Sequence, residues 1–391
     1  MADHLLSALQ QSLSQREADG LLRKRRLLES AQGPHSKVDG RDVLSFCSND
    51  YLGLANHADL QSALQEGVKS AGMGSGASHL LTGHHRYHHA LEEALAKFVD
   101  LPAALLFSTG YMANLAAISG LMDRNDALFA DKLNHASLND GALLSRATLH
   151  RYPHGDWEVL ERLLASSAAP RKMVITDSVF SMDGDIAPLK DLVEVCKRHD
   201  AWLLIDDAHG FGVLGQQGQG CLNHFNLKSP HIIYMATLGK AAGVSGAFIA
   251  GERVVIDYLI QNARTYIYTT AMPPALAAAS LQSVKLIGAS HDKRAHLHEL
   301  IAHLQFRLRL KRWQLMDSAT PIQPLVIGSN DEAVLVSEHL LEDGILVPAI
   351  RPPTVPKGSA RLRISLSAAH TVVDVERLAQ ALEHAEERLT A

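Results

Sequence analysis

The sequence predicts an α/β fold, with a mainly parallel sheet in a large domain and a smaller α+β domain at the C-terminus. Short apolar strands alternate with helical patterns through most of the chain, and beyond two long helical stretches strands and helices are interleaved in a shorter region. Repeated strand–helix alternation is typical of a parallel sheet covered by helices. The predicted ranges are an N-terminal helical segment 1–45, a large domain 46–288 and a small domain 289–391.

Hydrophobic periodicity and turn residues predict the individual elements. A stripe of leucines, including Leu5, Leu9 and Leu13, predicts a first helix over residues 3–30. The predicted strands are 43–46, 103–107, 127–130, 172–176, 202–206, the residues before Thr237, 246–250, 324–327, 345–349 and 361–366. The other predicted helices are 59–70, 88–100, 112–122, 189–199, 274–289, 292–311, 331–342 and 372–389.

The glycine-rich stretch Gly72-Met-Gly74-Ser-Gly76 raises the question of a dinucleotide-binding fold. That fingerprint requires a strand before the glycines, whereas residues 59–70 have a helical pattern. We therefore reject a dinucleotide site and expect a tight loop near the functional site.

Composition excludes several classes of protein. The chain has 391 residues, 47% of them hydrophobic and 20% charged, an ordinary globular balance in a length suited to about two domains. The net charge of −5 implies no general affinity for nucleic acid. The first residues do not resemble a secretory signal, and no apolar run is long enough to span a membrane.

The cysteines and histidines give no metal signal in the sequence. Cys47, Cys196 and Cys221 show neither metal-ligand spacing nor a disulfide framework, which fits a reducing cytoplasm. The pairs His84-His85 and His88-His89 lack an acid or cysteine at ligand spacing. We therefore expect no metal site.

One lysine, Lys240, lies among small and apolar residues in the stretch Met235–Gly246. Desolvation disfavours the ammonium form, so the pKa of Lys240 is expected to fall. A neutral amine can form a Schiff base with an aldehyde. The glycines around it let the backbone approach a bulky ligand closely.

An apolar strand upstream ends in Asp206-Asp207-Ala-His209. Ligands of parallel sheets bind beyond the carboxyl ends of the strands. A carboxylate, a histidine and an isolated lysine together suggest pyridoxal phosphate, whose ring nitrogen Asp206 would keep protonated. Asp206 and Lys240 are the predicted centre of the site.

A turn between a strand and a helix provides a candidate phosphate site. Strand 103–107 is followed by Ser108-Thr-Gly110-Tyr111 and then by a helix. The N–H groups at a helix N-terminus suit a phosphate, so the backbone of Gly110 and Tyr111 is a candidate for binding it.

Three further polar residues each leave two interpretations open. Asn49 either forms a turn or donates to a ligand carboxylate. His135 either flanks a helix or stacks on a cofactor ring. Arg23 belongs to a basic cluster that is either a solvated helix face or a contact for an anionic substrate such as an acyl-coenzyme A.

The spacing of His135, Asp206–His209 and Thr237–Lys240 resembles that of the α-oxoamine synthases, which are pyridoxal-phosphate enzymes of the aspartate-aminotransferase fold (fold type I). The resemblance covers nearly the whole chain, from Arg23 to Arg363. Further motifs similar to those of the family are Ser48–Gly53, Phe180–Asp185, Tyr268–Pro274 and residues 350–356 with 361–363. One departure is His79, where several relatives carry an arginine.

The resemblance implies a role for each candidate residue. Lys240 would carry the cofactor and move protons at the substrate α-carbon, and Asp206 would pair with the ring nitrogen. The other cofactor contacts it implies are His135 on the ring face, His209 at the ring hydroxyl, the N–H groups of Gly110 and Tyr111, and the hydroxyls of Ser181, Thr237, Thr269 and Thr270. For the substrates it implies Arg363 and Asn49 at the amino-acid carboxylate, Arg23 and Thr354 at the acyl substrate, and His135 as a further substrate-binding residue.

Residues 350–356 are most similar to a family member that condenses L-alanine with a pimeloyl thioester, either pimeloyl-CoA or its carrier-protein form. The alternatives are a glycine-using member of the family, a non-catalytic subunit of the same fold and a plain aminotransferase. Retention of Lys240, Asp206 and His209 argues against a non-catalytic subunit.

The resemblance also implies a homodimer with shared active sites, in which a hydroxyl of Thr269 or Thr270 reaches the cofactor phosphate of the neighbouring subunit. The other interpretation is that these threonines only precede the Met272-Pro-Pro turn. The implied partners are thus small-molecule substrates and a second copy of the chain, with no nucleic acid and no membrane.

Overall fold

The computed structural model describes residues 2–390. Its contacts divide the chain into two compact units. One unit comprises the residues up to Ser48, Met182–Gly184 and the residues from Leu297 onward, and the other comprises Asn49–Ser181 and Asp185–His296. The first 48 residues therefore group with the C-terminal part, whereas the sequence analysis treats 1–45 as a separate segment. Met1 and Ala391, at the ends of the predicted ranges, lie outside the described residues.

The central unit, Asn49–Ser181 with Asp185–His296, is built on a seven-stranded sheet. Only Ala247–Gly251 runs antiparallel to its neighbours, so the predicted mainly parallel sheet is confirmed. In spatial order the strands are Ala103–Phe107, Ala247–Gly251, Ile232–Thr237, Trp202–Asp206, Lys172–Asp177, Ala127–Asp131 and Thr148–Tyr152.

The strands of this sheet form because they are continuous apolar runs that can be buried on both faces. Leu203, Leu204 and Ile205 are fully buried, and burying one such side chain stabilises the fold by about 1.5–3 kcal/mol. The strand they form ends at Asp206, which delivers a carboxylate to the carboxyl edge of the sheet.

Helices connect the strands of the central unit. Gly110–Leu121 packs on Ala136–Ser145, and Gly141 allows the close approach because a Cβ there would meet Ile118 at 2.8 Å. The other helices are Ala58–Ala71, Arg86–Phe98, Trp157–Ser166, Leu189–Arg198, Cys221–Phe225, Arg253–Asn262, Arg264–Ile267 and Pro274–Ala289. A helix precedes the glycine-rich loop, which confirms that Gly72–Gly76 is no dinucleotide fingerprint.

The other unit contains two small sheets. One orders the strands His35–Val38, Arg41–Ser45 and Ile345–Leu346, and the second orders Gln314–Leu315, Ile322–Gly328, Ala360–Ser365 and Ala349–Ile350. Its helices are Ala2–Ala18, Asn330–Glu342 and Val372–Thr390, and the helix His291–Arg307 begins before residue 297 and ends within this unit. Among the described residues, no helix is both long and apolar enough to cross a membrane.

Two predicted elements are wrong in extent. The first helix ends at Ala18 and does not continue to residue 30, because Gly20 takes a left-handed conformation with φ 65°. The predicted strand 345–349 is two short strands, Ile345–Leu346 and Ala349–Ile350, which belong to different sheets. Pro348 lies between them and has no N–H to continue a ladder.

Candidate active site

Lys240 lies in the turn that follows the strand Ile232–Thr237, and it is half-buried. Its Nζ lies 2.8 Å from Nε2 of His209. On the other side of that ring, Nδ1 lies 2.7 Å from the hydroxyl of Tyr51, and the same hydroxyl donates to Oδ1 of Asn49 at 3.1 Å. A tyrosine hydroxyl has one proton. Because Tyr51 donates it to Asn49, Nδ1 of His209 is the donor to Tyr51, and its Nε2 lone pair faces Lys240.

Asp206 is buried at the end of its strand and accepts two hydrogen bonds. Its Oδ2 accepts from Nδ2 of Asn114 at 2.7 Å, and its Oδ1 accepts from the N–H of Ala208 at 3.0 Å. Nδ2 of Asn114 also donates to Oγ of Ser137 at 2.8 Å. These contacts hold the Asp206 carboxylate in one orientation, since hydrogen bonds to an ionised group are the stronger ones.

His135 is the N-cap of the helix Ala136–Ser145, and its backbone N–H donates to Oδ2 of Asp177 at 2.7 Å. Burial raises the pKa of Asp177 well above its usual range, and the charge of Asp206 adds to that shift. His135 is exposed as a residue, yet partial desolvation by the surrounding protein lowers its pKa. Asp206 opposes this shift and Lys240 adds to it. His135 therefore lies within electrostatic range of both groups.

Gly110 and Tyr111 begin the helix Gly110–Leu121. The side chain of Thr109 caps the N–H of Met112 at 3.2 Å. The first N–H groups of a helix have no acceptor inside the helix, so those of Gly110 and Tyr111 are suited to an anion. A Cβ built on Gly110 would meet Met235 at 3.8 Å, an ordinary van der Waals distance, so the start of this helix lies beside the end of the strand Ile232–Thr237.

The remaining hydroxyl candidates lie on separate loops. Oγ1 of Thr237 donates to the carbonyl of Gly246 at 3.0 Å and accepts from the N–H of Gly239 at 3.2 Å. Ser181 is half-buried. In the segment that follows the helix Arg264–Ile267, Thr269 is half-buried and Thr270, which pairs with Ser78, is exposed.

Asp207, the second acid after the strand, has a different environment from Asp206. It is fully buried and accepts from Ser178, Tyr234 and the N–H of Cys221. Burial raises its pKa to about 6. These hydrogen bonds fix the turn after the strand against Ser178, Tyr234 and Cys221. Asp207 therefore positions the backbone that carries His209.

The predicted substrate residues Arg23, Thr354 and Arg363 belong to the other unit. Arg363 is buried in the strand Ala360–Ser365, and its Nη1 donates to Oγ of Ser365 at 2.7 Å. Arg23 and Thr354 are exposed.

A cavity of about 800 Å³ lies within this same unit. Lys24, Arg25, Arg26 and Arg351 line it, together with apolar groups such as Leu22 and Val347. Arg23 and Thr354 are not among its lining residues. Two acidic residues, Asp39 and Glu338, also line the cavity, so its lining is partly apolar and carries four basic side chains against two acidic ones.

Within the central unit, contacts join Lys240, His209 and Asn49, and electrostatics link His135 to Lys240 and Asp206. Sequence reasoning missed Asn114, Tyr51 and Asp177. Asn114 stands one helical turn after Gly110, so a helix that presents Gly110 to a ligand also presents Asn114. Tyr51 lies inside the Ser48–Gly53 motif, but the sequence prediction assigned it no role.

This arrangement fits pyridoxal phosphate. An amine is available for the aldehyde on Lys240, and a buried carboxylate is available for the ring nitrogen on Asp206. The N-terminus of the helix Gly110–Leu121 is available for the phosphate. These are the donor types that hold this cofactor in proteins.

Known proteins are similar to this chain over nearly its whole length. The family model for class I and II aminotransferases matches residues 41–382. An 8-amino-7-oxononanoate synthase from Methylobacillus flagellatus is 61% identical over 386 residues, which cover 99% of this chain and 98% of that protein. Another from Nitrosospira multiformis is 61% identical and covers 96% of this chain and 94% of that protein.

The similarity extends to solved structures. A serine palmitoyltransferase from S. paucimobilis, solved with a bound PLP–myriocin aldimine, superimposes with a TM-score of 0.92 at 28% identity and covers 98% of each chain.

Proposed function

The chain belongs to the class I and II aminotransferase family and, within it, to the 8-amino-7-oxononanoate synthases, and on that premise we propose that it condenses L-alanine with a pimeloyl thioester in biotin biosynthesis. The new carbon–carbon bond joins the alanine α-carbon to the acyl carbonyl carbon. The carbon–sulfur bond breaks and frees the thiol of the carrier, and the alanine carboxylate leaves as carbon dioxide. The product is 8-amino-7-oxononanoate.

The observation that carries this proposal is the contact of Lys240 with His209, 2.8 Å between Nζ and Nε2, in a unit that also holds the buried Asp206. Bound pyridoxal phosphate supplies an aldehyde for an amino group and a ring that withdraws electrons from the α-carbon. Lys240 holds the cofactor and afterwards takes and returns the proton at the α-carbon of alanine.

The other residues of the central unit orient the cofactor. Asp206, fixed by Asn114, keeps the ring nitrogen protonated. His209 would bond the ring hydroxyl, and His135 would supply a flat side chain for the ring. The remaining cofactor residues of this proposal are Gly110, Tyr111, Ser181 and Thr237 at the phosphate end.

Substrate recognition uses arginines on the other unit. Arg363 binds the alanine carboxylate in a bidentate pair, for which guanidinium geometry is suited. The cavity lined by Lys24, Arg25, Arg26 and Arg351 supports binding of an anionic acyl substrate beside Arg23 and Thr354.

The test is product analysis with purified enzyme, pimeloyl-CoA and either L-alanine or glycine. We expect 8-amino-7-oxononanoate from alanine and much less condensation with glycine. A clear preference for glycine would assign the chain to a glycine-using member of the family. Replacing pimeloyl-CoA by the carrier-protein thioester in the same assay identifies the acyl carrier.

We also propose a homodimer with shared active sites. Large apolar side chains are exposed on the central unit, with Leu143 and Tyr268 each 70% accessible and Val254 73% accessible. A second copy of the chain would cover such groups, because a two-fold dimer uses the same surface on both chains. The exposed Thr270 and its neighbour Thr269 would then reach the cofactor phosphate of the other subunit.

The test of sharing is a mixed dimer of Lys240→Ala chains with chains altered at Thr269 and Thr270. If the sites are shared, one site of each mixed dimer carries both defects and the other carries neither, so cofactor affinity divides into two classes. A defect confined to the altered chain's own site would refute sharing.

The free state of Cys47, Cys196 and Cys221 supports a cytoplasmic location for the enzyme.

A further inference from the structure

A cluster of metal-ligating side chains lies on the central unit, at the start of the helix Arg86–Phe98. His89 and Glu92 are one helical turn apart, and His84 precedes the helix. Nε2 of His84 lies 3.9 Å from Oε2 of Glu92, and one ligand atom from each of the three residues falls within 4.8 Å of the other two. The sequence analysis found no acid at ligand spacing, but the fold brings Glu92 to both histidines.

Neighbouring groups orient the ligand atoms of this cluster. Oε1 of Glu92 accepts from the N–H of Leu106 at 3.0 Å, which directs Oε2 to the cluster. Nδ1 of His84 lies 3.0 Å from Nδ1 of His79, which directs Nε2 to the cluster. A hydrogen bond to the second nitrogen of a histidine or the second oxygen of a carboxylate is the usual support of a metal ligand.

Glu92 is a carboxylate without a matching cation. Its side chain is 14% exposed, and no lysine or arginine of the described residues forms an ion pair with it. A buried carboxylate is costly unless it is neutralised by a proton, a cation or a metal, and the two histidines supply neutral ligands.

We propose that His84, His89 and Glu92 form a binding site for a divalent transition metal of the zinc class. Two imidazoles and one carboxylate with open positions suit first-row metals. Metal–ligand bonds of about 2.0–2.1 Å place the ligand atoms of a tetrahedral site about 3.4 Å apart, so the side chains close by about 1 Å. His89 is 67% exposed and contacts the exposed Glu93 at 3.5 Å and the edge of the His84 ring, with the ring centroids 6.0 Å apart, so solvent leaves room for its side chain to move.

A second combination, His79 with His84 and His88, is less suitable. Nδ1 of His88 accepts from the N–H of His85 at 2.9 Å, and its Nε2 lies 2.8 Å from the carbonyl oxygen of Met272. Both nitrogens of His88 are therefore occupied, and a metal would have to break a buried hydrogen bond to reach either.

Metal binding would stiffen the segment that holds Thr269 and Thr270. His79, the partner of His84, stacks on Tyr266 with the ring centroids 4.9 Å apart and the planes 11° apart. An ion on His84 would thus hold the π-helical turn His79–Gly83 against the helix Arg264–Ile267, which directly precedes that segment. The site does not depend on the proposed condensation reaction.

The experiment is calorimetric titration of tag-free holoenzyme with Zn²⁺, in parallel with Co²⁺ titration followed by visible absorption. We compare the variants His89→Gln and Glu92→Gln with His298→Gln, which alters an exposed helical histidine elsewhere. We expect one site per chain in the wild type and the control, with affinity at least about tenfold weaker in the two ligand variants.

Because Glu92 also bonds the backbone of Leu106, its variant is checked by thermal unfolding. If Glu92→Gln disturbs the fold, the variant His89→Gln still tests the site, because His89 is exposed. Equal titration curves for wild type and His89→Gln, or no stoichiometric binding in the wild type, would overturn the proposal.

Discussion

Tyr51→Phe tests the hydrogen-bond relay behind Lys240. Tyr51 is fully buried, so phenylalanine keeps the ring packing and removes only the hydroxyl. That hydroxyl joins His209 at 2.7 Å and Asn49 at 3.1 Å. Its loss leaves a buried imidazole N–H without its acceptor, which costs about 1–3 kcal/mol. The proton of His209 is then no longer held on Nδ1, and an N–H can face Lys240 where a lone pair does now.

We therefore expect the free energy of unfolding in urea to fall by about 1–3 kcal/mol. We expect cofactor affinity, followed by absorbance, to weaken by about tenfold, the equivalent of about 1.4 kcal/mol. Tyr87→Phe is the matched control, because its hydroxyl bonds Ser70 at 2.8 Å in an exposed position. The control should change the free energy of unfolding by less than about 0.5 kcal/mol. The relay would be refuted if Tyr51→Phe had the same free energy of unfolding and the same cofactor affinity as the wild type.

Three further predictions concern the central unit. Borohydride reduction of the holoenzyme should fix the cofactor to Lys240, and peptide mapping that finds the adduct on another lysine would contradict the assignment. Asp206→Asn should retain cofactor but lose at least about a hundredfold in product formation, because a neutral amide cannot balance the positive charge of a protonated ring nitrogen; near-normal turnover would refute that role. Hydrogen bonds to Asp131 and Asp185 raise the pKa of His154 from 6.5 to about 10. Its stabilising contribution is therefore complete below pH 6.5 and lost as pH rises through 10, so His154→Gln should lower unfolding free energy at pH 6 and have little effect at pH 10.5.

Much of the central sheet could be predicted because its strands are continuous apolar runs. The strand Thr148–Tyr152 escaped prediction because it is at the edge of the sheet, where only Tyr152 is fully buried and the other residues are mixed in polarity. The first helix was predicted too long because leucines continue its periodicity to Leu22, while Gly20 ends it through backbone conformation.

The candidate site also contains residues that the sequence predicts and residues that it does not. Lys240, Asp206 and His209 could be proposed from sequence, because a charged group beside an apolar strand or glycine turn is unusual in itself. Asn114 could not, because its hydrogen bond to Asp206 spans 92 positions of the chain. The contact of Glu92 with His84 could not be predicted either. It depends on the backbone conformation of the turn His79–Gly83, which directly precedes His84.

The sequence by itself determined the α/β class, the cofactor chemistry and the family, because these depend on local periodicity and on residue types at fixed spacing. Only the tertiary structure decided which nitrogen of His209 faces Lys240, which of the two acids after the strand is held by Asn114, and which histidines meet a carboxylate. The physical reason is that protonation states and ligand geometry are set by atoms within about 3 Å of one another. In this fold those atoms come from residues that are far apart in the chain.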